Sequence, residues 1–374
     1  MLKPNPQYDA SIVSLMNSIR KDFGIRTFHG TLPQADELLA DGKYKNVVLL
    51  IWDGLGMNIL EQHLKPNAFL RKNLVADISS VFPPTTAAAI PAFKSGLRPA
   101  ETGWFGWSQY LEEVGRTAVL FKSKDQGTGE KIPGYDGALP ILPYPTVEGD
   151  INHTSNARGW TLNSFKSQDG GIVYKNYRDM LRKIRENCKK DGRQYIYCYS
   201  SQPDHEIHFC GTEHKTVRRT VRQAQRVSKR LSKKLKDTLL FIVADHGLID
   251  CAHHHVVQNN DFAATLEYVA EFDARVLGCR PKKGMEDEFL RQAKRLCGDG
   301  ARIATKQEAI DEGWFGNDPG VSNEILDRRL PPYLILAQEY HAFTWKNYPQ
   351  KWNHGVHSGC MEEEMRVPLI AVSR

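Results

Sequence analysis

The chain is expected to fold as a doubly wound α/β domain: a mostly parallel sheet between helical layers, with a small α+β insertion over one end. Two observations predict it. The apolar runs Asn46–Trp52, 239–244 and 367–372 are short and bounded by turn residues, as strands buried on both faces are. Strand-like and helix-like segments also alternate in order, the pattern of parallel strands joined by crossover helices.

The elements follow from spacing. Ile12, Leu15, Met16 and Ile19 recur at helical intervals, so residues 8–22 read as a surface helix with that face inward. The alternation starts with strand 46–52 and continues through a strand at 75–81, an Ala-rich helix at 86–95 and a strand at 117–122. It resumes with a helix near 176–190, a strand at 194–200, a long helix from Lys215 and a strand at 238–244. Residues 123–172, rich in Gly, Pro, Asp and Asn without periodicity, are expected to be long loops. Beyond residue 260 a strand at 274–278, a helix at 287–296 and a strand at 301–304 read as an α+β insertion over 268–330. Residues 1–267 and 331–374 would then form the core, closed by strands near 333–337 and 366–373.

Composition bounds the function. Hydrophobic residues make up 41% and charged residues 25% of 374 positions, ordinary values for a globular chain. No apolar stretch reaches the roughly 18 residues of a membrane helix. The first 23 residues are polar and charged, without the apolar segment of a secretory signal. Seven cysteines without regular spacing point to reduced thiols and a cytoplasmic location.

The net charge of +6 is local: ten Lys/Arg and no acid lie between Lys215 and Lys236. Val217, Val221, Ala224, Val227, Leu231 and Leu235 recur every three or four positions there, defining an amphipathic helix with a basic outer face. Such a face attracts nucleic acid or an anionic membrane, but no aromatic residues interleave the charges, which favours a solvated surface.

Metal-type side chains stand just beyond the apolar runs. Asp53 follows strand 46–52, Asp204 and His208 follow the run at 195–199, Asp245 and His246 follow the run at 239–244, and His357 precedes the last run. In doubly wound sheets ligands bind at the carboxyl ends of the strands. Three aspartates and three histidines there suffice for two divalent metal ions. Between two of these strands lies the segment Phe82-Pro83-Pro84-Thr85-Thr86-Ala87, where a helix begins at the threonines. A hydroxyl at a helix N-terminus sits where an anion such as phosphate is favoured, and a divalent metal can activate it as a nucleophile.

Five segments in order resemble the type I phosphodiesterase/nucleotide pyrophosphatase branch of the alkaline phosphatase superfamily. They are Trp52-Asp53-Gly54; Phe82-Pro83-Pro84-Thr85-Thr86 with Gly96 ten residues on; Pro203-Asp204-His205-Glu206-Ile207-His208; Ala244-Asp245-His246-Gly247; and His357-Ser358-Gly359. The resemblance implies an alkaline phosphatase-like α/β/α sandwich and a hydrolase acting on a small-molecule phosphate ester. Asp53, Asp245 and His246 would hold one metal, with the Thr86 hydroxyl as its fourth ligand. Asp204, His208 and His357 would hold the other. Zinc suits this donor set, with manganese or iron as alternatives. Thr86 would be the nucleophile, passing through a phospho-threonine intermediate, and Thr85, the rival, would cap the helix.

The chain departs from the family pattern at two places. Ala89 replaces an asparagine that donates to a phosphate oxygen, and Ile207 replaces a glycine before the histidine. Phosphonate hydrolase, phosphomonoesterase and phosphomutase chemistry remain alternatives, as does a non-catalytic anion-binding module using helix 215–236. A sulfatase is excluded, because its nucleophile derives from Cys or Ser. Three further groups are secondary: His253-His254-His255 as substrate contacts or surface loop, Trp104-Phe105-Gly106-Trp107 as a pocket wall or core, and Lys94 as a solvated side chain.

Overall fold

The apolar runs become the middle of a seven-stranded sheet in the computed structural model. It describes residues 2–42, 44–153, 156–166, 168, 170–258, 261–345 and 354–374, with the side chains of residues 41 and 42 excepted. The strand order is Leu74–Ser79, Arg366–Ser373, Thr238–Val243, Asn46–Trp52, Arg193–Ser200, Ala157–Asn163, Ile172–Val173. The five from Thr238–Val243 onward run parallel, and Arg366–Ser373 is antiparallel to both its neighbours. Strands 46–52 and 238–243 are buried at every position, which is why they read as unbroken apolar runs. This is the expected mixed, mostly parallel α/β sheet.

Four expectations about elements are corrected. The stretch 123–172 is not all loop: among its described residues (154, 155, 167 and 169 lie outside them) it forms the helix Val147–Asn152 and two strands of the main sheet. The expected main-sheet strand at 117–122 is Arg116–Val119, and it belongs to a second seven-stranded sheet. That sheet also takes Tyr333–Ala337, expected to close the main fold, because it pairs with both Val276–Cys279 and Ala301–Thr305. The second sheet thus draws on 108–125 as well as 271–337, more than the insertion at 268–330. Finally, helix Ile12–Asp22 is no surface helix. Its polar residues Asn17 and Arg20 are buried too, with the Asn17 amide donating to Gly96 O at 2.8 Å.

Helix Lys215–Ser232 behaves as its pattern dictates: Val217, Val221, Ala224 and Leu231 are buried, and the arginines between them are exposed. No described helix is long and apolar enough to cross a membrane.

Candidate functional site

Three adjacent strands deliver the site. In the register, Ile51 faces Val243 and Trp52 faces Ser200, so Asp53 emerges one residue beyond the pairing with Ser200 and two beyond that with Val243. Two backbone bonds extend the pairing past the strand ends: Asp53 N to Ser200 O at 3.0 Å and Asp204 N to Asp53 O at 2.9 Å. The turn that permits this close approach needs Gly54, whose φ is +71°. A Cβ there would sit 2.8 Å from the Asp204 Cβ.

The side chains converge. Asp53, Asp245 and His246 offer ligand atoms within 4.8 Å of one another, and so do Asp204, His246 and His357. His208 stands in helix Asp204–Cys210 one turn after Asp204, with its Nε2 3.2 Å from Asp204 Oδ1. His357 Nε2 lies 3.8 Å from the same oxygen, and the His246 and His357 rings are 3.9 Å apart. Where the sequence divides the ligands cleanly into two sets, the geometry places His246 against both.

Thr86 begins helix Thr86–Ser95 and is half-buried. Its hydroxyl lies 3.5 Å from Asp53 Oδ1 and 3.3 Å from His246 Nε2. Thr85 behaves differently from expectation. It occupies the N-cap position but makes no capping bond; its hydroxyl instead donates to Asp273 Oδ2 at 2.6 Å. Thr85→Val should therefore leave turnover within about tenfold of wild type. It should cost about 1 kcal/mol of stability in denaturant unfolding, because the half-buried Asp273 loses a donor. Loss of turnover comparable to a nucleophile deletion would exchange the roles of the two threonines.

Burial, and then the carboxylates of Asp204 and Asp245, push Asp53 well above the ordinary aspartate range. Burial also works upward on Asp204, but the imidazoles of His208, His357 and His246 outweigh it and hold it low. Burial disfavours charge on His208, yet Asp204 overrides it and lifts the ring to about 9. Burial and His246 press His357 well below its usual value.

A cation fits this set. Asp245 Oδ2 is sealed from solvent without a hydrogen-bond partner among the described residues, and Asp204 Oδ1, equally sealed, has the His208 and His357 ring nitrogens beside it at 3.2 and 3.8 Å. Three carboxylates crowd together beside imidazole nitrogens, the mixture that borderline divalent metals take. His208 Nδ1 donates to Gly355 O at 2.7 Å, which fixes its tautomer and leaves Nε2 to face the carboxylates.

Sequence reasoning missed two residues here. Tyr199 donates its hydroxyl to Asp53 Oδ2, and Asp273 reaches Thr85 from the second sheet. Tyr199 is hidden in an apolar run, and Asp273 lies in the segment read as a cap; no local pattern marks either. The glycine-to-isoleucine departure has a packing reason. Ile207 is fully buried, and its Cγ2 fills the space beside Gly355, where a Cβ would lie 2.4 Å away.

The secondary candidates fall outside the site. Lys94 is buried, not solvated: its Nζ donates to Glu148 Oε1 at 2.8 Å and stands 4.3 Å from the Tyr197 ring centroid. Trp104 and Phe105 are core, and Trp104 borders a cavity of about 20 Å³, room for one water and no leaving group. His253–Val256 forms a strand paired with His341–Thr344, and His255 Nε2 lies 2.9 Å from His341 Nδ1. The rings of His253 and His255 likewise lie against His341 and Phe343.

The mouse ectonucleotide pyrophosphatase/phosphodiesterase 5, in an inactive form with AMP, superposes with a TM-score of 0.62 at 18% identity over 87% of each chain. The human protein of that name gives 0.63 at 16% identity, also over 87% of each. A search of curated protein sequences found no match. The sequence profile of the type I phosphodiesterase / nucleotide pyrophosphatase family matches residues 47–359, a span that includes every one of the site residues above. The chain belongs to that family and is a hydrolase of phosphoric ester bonds.

Proposed function

We propose that this chain is a metal-dependent phosphodiesterase in which the Thr86 hydroxyl attacks phosphorus and a phospho-threonine intermediate forms. The observation that carries this reading is the placement of one half-buried hydroxyl at a helix start, within 3.5 Å of both Asp53 and His246. Asp53, Asp245, His246 and Thr86 would hold one cation, and Asp204, His208 and His357 the other, with zinc best suited to the donors. Divalent cations in such a set favour the alkoxide form of a hydroxyl and offset charge on phosphoryl oxygens.

The chain's own groups do the rest. Tyr199 fixes the Asp53 carboxylate, and the start of helix Thr86–Ser95 presents N–H groups and a dipole to the phosphoryl oxygens. Ala89 is buried in that helix and offers no donor where the family has asparagine. The mouse relative holds AMP, so nucleotides are the first substrate class to try, and Ala89 is the reason to expect weaker nucleotide binding. All seven cysteines are free thiols, which supports a reducing compartment such as the cytoplasm.

Metal-loaded protein assayed on nitrophenyl mono-, di- and phosphonate esters tests the reading. Diester turnover should dominate, vanish on chelation and return with zinc at about two equivalents. Turnover indifferent to chelators, or confined to monoesters, would overturn it.

A further inference from the structure

The basic helix has a concave partner that its sequence does not announce. Lys65, Asn67 and Ala68, in the loop after helix Met57–His63, face Arg219, Arg222 and Arg226 across a groove of about 500 Å³. That volume is within the range of about 300–1,000 Å³ typical of small-molecule sites. The three arginines recur at i, i+3 and i+7 and so share one helix face, spanning roughly 10 Å along the axis. Arg219, Arg222, Arg226 and Lys65 are exposed, and none makes an ion pair among the described residues. Four like charges are held together there, none of them ion-paired among the described residues.

A second observation points the same way. His63 lines the groove but is 5% exposed, and its Nε2 donates to Thr212 O at 2.7 Å. Thr212 is itself held by Asp250 through its N–H at 2.8 Å and its hydroxyl at 3.0 Å. The other ring nitrogen of His63, Nδ1, is buried with no partner among the described residues. With a proton on Nδ1, the ring would donate to a phosphate or sulfate oxygen.

We propose that this groove binds a compact polyanion, a small molecule carrying two or more phosphate or sulfate groups. The lining decides against polymers and membranes. Among the described residues it has no tyrosine, tryptophan or phenylalanine on which bases would stack. No exposed large apolar side chain among the described residues borders it, so they offer nothing to insert into a bilayer.

Inositol hexasulfate is the probe, because its sulfates are poor metal chelators and leave the metal-loaded enzyme intact. Calorimetry with the full chain should show one saturable site whose affinity falls as salt rises. Arg219→Glu/Arg222→Glu/Arg226→Glu should weaken binding at least tenfold while nitrophenyl diester turnover stays at the wild-type rate. Arg222→Gln alone should weaken it less, and Thr86→Ala should leave it unchanged. Absence of saturable binding at millimolar probe, or equal binding by wild type and the triple variant, would overturn the proposal. So would a 20-base-pair duplex or phosphatidylserine vesicles binding more tightly than the probe and losing that affinity in the triple variant.

Discussion

Thr86→Ala is expected to abolish turnover, lowering kcat by about a thousandfold or more, while the protein keeps its fold and its metal content. The methyl group is tolerated because Thr86 is half-buried and its side chain caps nothing: the N-cap position is Thr85. What disappears is the one hydroxyl that stands between Asp53 and His246. Neither of those residues depends on it for position. Tyr199 holds Asp53, and the Asp245 carboxylate accepts from the N–H groups of Gly54 and His246 at 3.0 and 3.1 Å. Metal analysis beside single-turnover kinetics separates the outcomes. A variant that retains its metals and still hydrolyses diesters would refute Thr86 as nucleophile, whereas Thr86→Ser should recover part of the rate.

Glu364→Gln is expected to destabilise the fold by about 3–5 kcal/mol, measured by urea unfolding of the metal-free protein. Arg275 and Glu364 form an ion pair with both side chains fully buried, Nε to Oε1 at 3.0 Å. The amide would leave the Arg275 charge uncompensated in a site where water cannot reach it. The same carboxylate accepts from Gly359 N at 2.7 Å, and Arg275 N donates to the Ser358 hydroxyl at 2.9 Å. The pair therefore anchors the turn beginning at His357, where Ser358 has φ +87°. Gly359 is needed because a Cβ would lie 2.5 Å from Arg275 Nε. Weaker metal retention should accompany the lost stability. A double replacement, Arg275→Met with Glu364→Met, should cost much less than the single change; equal costs would show that the penalty is not an unpaired charge.

The ligand-bearing strands are legible in the sequence because burial on both faces leaves an uninterrupted apolar run with one polar residue at its end. Strand Ala157–Asn163 is not legible, because several of its positions are only partly buried and its Arg158 is exposed, so no run or alternation forms. The second sheet escapes for a different reason: strands of four or five residues from distant segments pair by tertiary contact that no local pattern encodes. At the site the ligand-type residues show in the sequence, since Asp and His at strand ends are rare enough to notice. The support around them does not, since Tyr199, Asp273 and Arg275 look like any strand or loop residue.

Asp273 ends strand Glu271–Asp273, and Arg275 stands two positions on, in the turn before strand Val276–Cys279. One reaches the threonine pair at the start of helix Thr86–Ser95, and the other braces the segment that carries the last histidine. A trimmed chain keeping only the seven strands of the main layer would lose both supports at once. Engineering of a minimal hydrolase from this scaffold must carry that hairpin along, however dispensable its distance along the chain makes it look.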